Sequence, residues 1–298
     1  MKIRIGFGLG TRTFTNDATT FGPFVDSLDR LGFDSLWLSE QLTGEAPDPL
    51  IALAFAAGRT RKLKLGTSVL VVPGRNPVVL AKELATLDRL SGGRLLPAMG
   101  LGAPNPVEHR AFGVERKDRS GWFDEAVVLM RRLWNEDDVH HDGARFIVDG
   151  VTLRPKPVQQ PIEIWLGGNS STELRRTGRL GDGWLPSFCT VEDLRIGWPV
   201  ITQVAAEHDR EVDPEHLGAL VAYAHTAVPD GVAAFVAQRR PGLDPDDVIP
   251  VGLSALRARL EAMIDVGASK FVVVPIGEPD DWDTELETVA AELMPLQN

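Results

Sequence analysis

A run of strand character followed by a run of helical character recurs roughly eight times along this chain of 298 residues, and no other feature limits its fold as strongly. Antiparallel strands can be joined by a tight turn, whereas parallel strands need a crossover of a dozen or more residues, usually a helix. Strand patterns occupy residues 3–9, 34–40, 63–72, 95–100, 162–166, 184–186, 217–224 and 270–275. Helical patterns lie near residues 21–31, 49–59, 122–134, 171–180, 191–210, 253–266 and 283–293. A further helix opens at Asn76-Pro77, keeps helical spacing through Val79, Leu80, Leu84, Leu87 and Leu90, and stops at Ser91-Gly92-Gly93-Arg94. Asp48-Pro49 has the form of an N-cap followed by a first-turn proline. The alternation predicts a (β/α)8 TIM barrel, with a doubly wound sheet as the alternative.

The beat lapses twice. Residues 103–161 hold one strong helix and a polar, turn-rich stretch, which reads as an insertion between strands four and five carrying a short hairpin. Residues 229–250 form a second polar excursion with room for a short helix. Neither reads as a separate unit, so residues 1–298 are expected to form a single barrel domain. The first strand, with Gly6, Gly8 and Gly10, departs from a dinucleotide fingerprint because the third glycine comes early and no helix follows at once. Small residues in a barrel strand instead make room for facing side chains or a ligand.

A formal net charge of −11 and a pI near 5.1 argue against nucleic acid or an anionic membrane as partner. No run of about 18 apolar residues is present, and the amino terminus enters a strand pattern directly, so a cytoplasmic protein is expected. The single cysteine, Cys189, lies in an apolar run and reads as a buried, inert thiol. The six histidines show no metal-binding spacing, and no metal is expected.

Barrel enzymes carry their sites at the carboxyl ends of the strands. That rule nominates residues 9–12, 39–42, 68–74, 100–105, 167–170, 186–189, His225 and 275–277. Obvious acids, bases and nucleophiles are scarce among them, and no catalytic residue is assigned. Glu40 reads equally as a polar group at the mouth and as a solvated loop residue; Arg175 and Arg176 read as solvent-facing. Trp37, Trp165 and Trp184 fall in strands and read as core. The stretch "IWLGGNSSTE" stands out. Ser170 and Glu173 have the spacing of a capping box, which leaves Gly167 and Gly168 to be explained by close approach of a ligand, for which a phosphate at a helix amino terminus is suited.

Together, "GFDSLWLSE", "LKLGTSVLVVPGRNPVVLAKELATLDRLSGGRLLPAMGLG", "WFDEAVVLMRRLW", "PKPVQQPIEIWLGG" and "LGDGWLP" resemble the bacterial luciferase-like monooxygenase superfamily, and within it the coenzyme F420-dependent oxidoreductases. The resemblance implies a TIM barrel with a deazaflavin, or alternatively FMN, across its carboxyl-terminal mouth. It implies a bulge at the end of strand three with a cis Ser68–Val69 bond, and a phosphate loop at Gly167, Gly168 and Asn169. Ser39 and Gly100, at neighbouring strand ends, complete the expected cofactor set. Arg12 and Arg75 are possible partners for an acidic cofactor tail. The resemblance further implies hydride transfer with a small-molecule substrate and a homodimer. On the FMN alternative a reductase partner is needed; a third reading is a cofactor-binding protein without turnover. Sugar-phosphate dehydrogenases of the superfamily carry a histidine after strand two and a glutamate after strand four. Gln41 and Ala103 stand here instead, which argues against glucose 6-phosphate as substrate.

Overall fold

A computed structural model describes residues 1–13 and 15–298 of the chain. The first half lays down β1 (Arg4–Leu9), α1 (Ala18–Leu31), β2 (Ser35–Leu38), α2 (Pro49–Arg59), β3 (Lys64–Val71), α3 (Pro77–Ser91) and β4 (Leu95–Gly100). An insertion follows, with α4 (Pro106–Ala111), α5 (Arg119–Asn135) and an antiparallel hairpin of β5 (Val139–Asp142) and β6 (Ile147–Val151). The beat then resumes as β7 (Trp165–Leu166), α6 (Ser171–Leu180), β8 (Gly183–Trp184), α7 (Val191–Ala206) and β9 (Gly218–Tyr223). It ends with α8 (Asp230–Arg239), α9 (Leu253–Ile264), β10 (Lys270–Pro275) and α10 (Trp282–Leu293).

Eight of these strands pair in parallel in the order β8-β7-β4-β3-β2-β1-β10-β9. Bridges between Trp184 and Leu217 and between Ser187 and Leu220 bring the two edges together, with the Leu220 amide donating to the Pro186 carbonyl at 2.9 Å. The result is a nearly closed TIM barrel, ringed by helices, with the insertion between its fourth and fifth strands.

Alternation along each strand divides the core in two. Outward-facing Ile5, Phe7, Leu36, Leu65, Leu95 and Phe271 pack under the helices. Trp37, Leu96, Ala98, Trp165, Leu185 and Val272 fill the barrel itself. Both interior tryptophans lie flat against glycines, Trp37 on Gly66 and Trp165 on Gly183, where a Cβ would overlap the indole. Gly8 likewise leaves space for Val272 and Val274, so the first-strand glycines serve facing side chains.

Element boundaries shift where tertiary contacts override local pattern. The expected strands at 162–166 and 184–186 keep ladder pairing over only two residues each. α1 starts earlier than its apolar pattern because the Asp17 carboxylate caps the Thr19 and Thr20 amides. α7 ends four residues early, where Arg210 turns to bind the carbonyls of Gly178 and Gly181 and the carboxylate of Asp182. The short α4 was not anticipated, although Asn105-Pro106 repeats the cap-and-proline signal of Asn76-Pro77.

Candidate active site

The mouth of the barrel has two chemically different sides. On one, β2, β3 and β4 end side by side. The Ser39 hydroxyl donates to the Ser68 carbonyl at 2.8 Å and lies 3.3 Å from the Ser68 hydroxyl. The β3–β4 register slips between Ser68 and Leu70, and the Ser68–Val69 peptide is cis. The slip turns Val69 toward Gly100, where an added Cβ would come within 2.7 Å of a Val69 methyl. Ser39, Ser68, Val69 and Gly100 thus form one ledge of hydroxyls, backbone and a single apolar side chain. Because β7 is hydrogen-bonded beside β4, the loop holding Gly167, Gly168 and Asn169 is next around the rim.

Three carboxylates near this rim, Glu40, Glu108 and Glu278, are engaged by protein donors. The Glu40 side chain is 3% exposed; it accepts from the Val71 amide at 2.7 Å and pairs with the Arg75 guanidinium. Burial raises its pKa, and Arg75 and the Val71 amide oppose that rise. Glu40 is therefore a buried strut, not a solvated loop residue, and Arg75 is engaged by it as well as by the Val71 carbonyl. Glu108, on α4, has capping-box spacing from Asn105 but reaches away, accepting from the amides of Leu42 and Thr43 at 3.1 and 2.9 Å and from the Thr43 hydroxyl at 2.6 Å. Glu278 accepts from the hydroxyls of Thr13 and Thr15. Gln41 is half-buried, whereas Arg12 and Ala103 are exposed. The loop after β4 is fastened by buried Arg119, which donates to the carbonyls of Leu101 and Gly102 and meets the His109 ring. Nothing in the local sequence around Arg119 announces that role.

The other side of the mouth is the β7–α6 turn. Ser170 caps α6, and Glu173 closes the box. One Glu173 oxygen, Oε2, accepts from the Asn169 amide at 3.1 Å, the Ser170 amide at 2.9 Å and the Ser170 hydroxyl at 2.8 Å. Gly168 has φ +91°, and a side chain on it would overlap the Glu173 carboxylate. A Cβ on Gly167 would lie 3.1 Å from the Leu185 carbonyl. The positive φ and the capping carboxylate already account for Gly168 without a ligand, so the capping box does not by itself leave that glycine to one. The Gly168 carbonyl accepts from the Trp184 indole at 2.9 Å. Asn169 donates to the Ser187 carbonyl at 3.2 Å, while its Oδ1 is buried without a partner among the described residues.

The remaining nominees stand apart from chemistry. Burial pushes the Cys189 thiol up to about 12, consistent with an inert side chain. His225 lies 3.5 Å from Glu285 of α10, which also accepts from the Tyr223 hydroxyl at 2.5 Å. Arg176, expected at the surface, is buried and pairs with Asp124 of α5 at 2.8 Å; Arg175 stays exposed. Trp37, Trp165 and Trp184 are fully buried. No cluster of metal-ligating side chains occurs among the described residues.

The sequence pattern of the luciferase-like monooxygenases matches residues 3–259. The chain belongs to this family. Similar curated proteins include the F420-dependent glucose-6-phosphate dehydrogenases of Intrasporangium calvum (36% identical over 184 residues, 56% of this chain and 55% of that one) and Kineococcus radiotolerans (33% over 172 residues, 54% and 50%). The chain spans about half the length of these relatives. A third such dehydrogenase, from Beutenbergia cavernae, is 28% identical over 286 residues, 88% of this chain and 80% of that one. Among solved structures, an F420-dependent secondary alcohol dehydrogenase in complex with an F420-acetone adduct superposes with TM-score 0.82 at 18% identity, covering all of both chains. A monooxygenase from Streptomyces bottropensis gives 0.79 at 24% identity, covering 99% of each chain. These structural likenesses show the same barrel fold.

Proposed function

We propose that this luciferase-like protein is an oxidoreductase that passes a hydride between the deazaflavin coenzyme F420 and a small organic substrate. The observation that carries this reading is the state of the mouth. Glu40, Glu108, Glu173 and Glu278 are each held by protein donors, while a ledge of small residues faces the opening. Such a mouth is suited to holding a redox cofactor that brings its own chemistry. The F420-dependent names of the curated relatives support the same choice of cofactor.

The residues fit such a group. Ser39, Ser68, Val69 and Gly100 would carry the ring, with the absence of a side chain at Gly100 leaving room for Val69. Gly167, Gly168 and Asn169 would hold the phosphate end, and the unpartnered Asn169 Oδ1 would accept from a ligand hydroxyl. Bound there, the cofactor supplies hydride donor or acceptor capacity. The protein's own part is to fix the ring against the Ser68–Val69 backbone, hold the tail, and keep competing groups off the exposed face. Gln41 and Ala103 offer no titrating side chain, which supports a substrate other than glucose 6-phosphate.

The main buried cluster runs from Ile3 to Leu293, which supports one domain over residues 1–298. No helix among the described residues is long and apolar enough to cross a membrane. The same reading includes a homodimer located in the cytoplasm. Titration of the purified protein with coenzyme F420 and with FMN, oxidised and reduced, tests the cofactor. Saturable binding of F420 is expected; binding of FMN without F420 would overturn the proposal in favour of a monooxygenase working with a reductase. Glucose 6-phosphate added to the F420-loaded protein is expected to leave the cofactor's absorbance unchanged.

A further inference from the structure

The amino-terminal end of the barrel, opposite the mouth, carries charge that the site above does not use. Arg4, Lys64 and Lys270 are the first residues of β1, β3 and β10, and Arg4 is in register with Lys270. Each lies two residues before an inward-facing position, Gly6, Gly66 or Val272, so alternation turns all three into the barrel. They line a partly open cavity of about 230 Å³ whose walls also include Arg94, Trp165 and His216. Arg4 is matched by Glu215, both terminal guanidinium nitrogens lying 3.2 Å from one oxygen. The cavity's other acids are on that side too: Glu163 lies 3.5 Å from His216, and Asp213 accepts from the Glu215 amide at 2.8 Å. Across the cavity the charges do not pair off. Lys64 and Lys270 share one carboxylate, that of Asp34, at 3.2 and 3.0 Å. Arg94 donates to carbonyls and the Thr60 hydroxyl, with no carboxylate among its partners.

Two buried groups on the lysine side lack the partners their chemistry calls for. Lys270 is 4% exposed, and among the described residues its ammonium, with three N–H donors, hydrogen-bonds only to Asp34. Burial pushes its pKa down to about 8; Asp34 opposes that fall, whereas Lys64 and Arg4 add to it. Trp165 is fully buried, and its Nε1 has no partner among the described residues, although a buried indole N–H ordinarily finds one. The Trp165 ring lies 6.0 Å from the Lys270 ammonium and 5.2 Å from the His216 ring, between two walls of the cavity. We propose that this floor cavity is a binding site for a small oxyanion, a carboxylate or phosphate group, held by Lys270 and Lys64 with the Trp165 indole as a neutral donor. An anion there supplies the second negative charge that two lysines on one carboxylate lack, and an acceptor for the indole. A water molecule would serve the indole and leave the charge unmatched. The cavity is at the far end of the barrel from the cofactor's mouth, so the proposal stands apart from the deazaflavin reading.

The indole N–H resonances of the seven tryptophans give a direct readout. That of Trp165 is identified by Trp165→Phe, or by triple-resonance assignment should that variant fail to fold. The full chain is titrated with acetate and, separately, with inorganic phosphate, at neutral pH and with ionic strength held constant by chloride. A saturable shift of the Trp165 resonance is expected, with the other indoles unmoved. Saturation by acetate alone supports a carboxylate ligand, and saturation by phosphate alone a phosphate ligand. Lys270→Met should weaken binding about tenfold or more. Because that change unpairs Asp34 at a buried position, Lys64→Gln, whose side chain is 36% exposed, provides a second arm. K64Q should fold normally and bind about fivefold to tenfold more weakly, while Lys64→Arg keeps wild-type affinity. A Trp165 resonance unmoved by both anions, the outcome when water alone fills the cavity, would overturn the proposal. A shift that persists undiminished in K64Q, or that chloride reproduces, would overturn it as well.

Discussion

The two sides of the barrel mouth are built on different length scales. At the β7–α6 turn, Glu173 reaches back three and four residues to the Ser170 and Asn169 amides, and its contacts follow from helix geometry. At the β3–β4 ledge, Ser39 meets Ser68 across 29 residues of sequence, and Glu40 meets Val71 across 31 and Arg75 across 35. A local turn keeps its shape wherever the helix starts. A ledge exists only while three strands hold register. Damage to the ledge should therefore spread to stability and binding together, whereas damage to the turn should stay confined to the end of α6.

The sharpest way to break the ledge is Gly100→Ala. The new methyl would come within 2.7 Å of a Val69 methyl, so the Val69 side chain or the bulge that carries it must shift. F420 affinity should fall by tenfold or more, with a stability loss of about 1–3 kcal/mol typical of overpacking, both read by titration and denaturant unfolding. Unchanged affinity would remove Gly100 from the site.

Glu40→Gln probes the same side through charge. The substitution takes one of two acceptor oxygens from Arg75 and the Val71 amide, which should cost about 0.5–1.5 kcal/mol at neutral pH, while loss of the charge itself relieves a burial penalty. Wild type and variant should also differ in pH response. The folded-state pKa of Glu40 is raised above the usual carboxylate range, chiefly by burial. Protonated Glu40 is thus favoured in the fold, and its contribution is fully present below about pH 4.5 and is lost as pH rises through the raised value. Measured against E40Q across that window, the wild type should gain relative stability on acidification. A flat difference would mean that Arg75 and the amide cancel the burial penalty.

Ser170→Ala is the mild counterpart at the turn. Loss of the cap should cost about 1 kcal/mol and leave affinity for a phosphate-free ring–ribityl analogue of F420 unchanged. A large fall in that affinity would show that the two sides are coupled after all.

Much of the frame was legible in order along the chain. Asp48-Pro49, Asn76-Pro77 and Ser170–Glu173 mark helix starts through contacts of three or four residues, and each cap forms. The lapse after Ala103 did mark the insertion and its hairpin. Legibility failed where one side chain had two geometric options. Glu173 and Glu108 share capping-box spacing, yet the first caps its own helix and the second binds Leu42 and Thr43 across 66 and 65 residues. Arg176 shows the same failure, since its neighbours in sequence are polar while its partner Asp124 is 52 residues away.

By itself, then, the order of residues determined the strand–helix beat, the caps and the glycine-bearing turn, because periodicity and capping act within one or two turns of the backbone. Tertiary structure decided the rest: closure of β8 against β9, the meeting of Ser39, Ser68, Val69 and Gly100, and the engagement of the rim carboxylates. Those depend on the register of parallel strands, and register is set by side chains packing from both faces of the whole barrel at once.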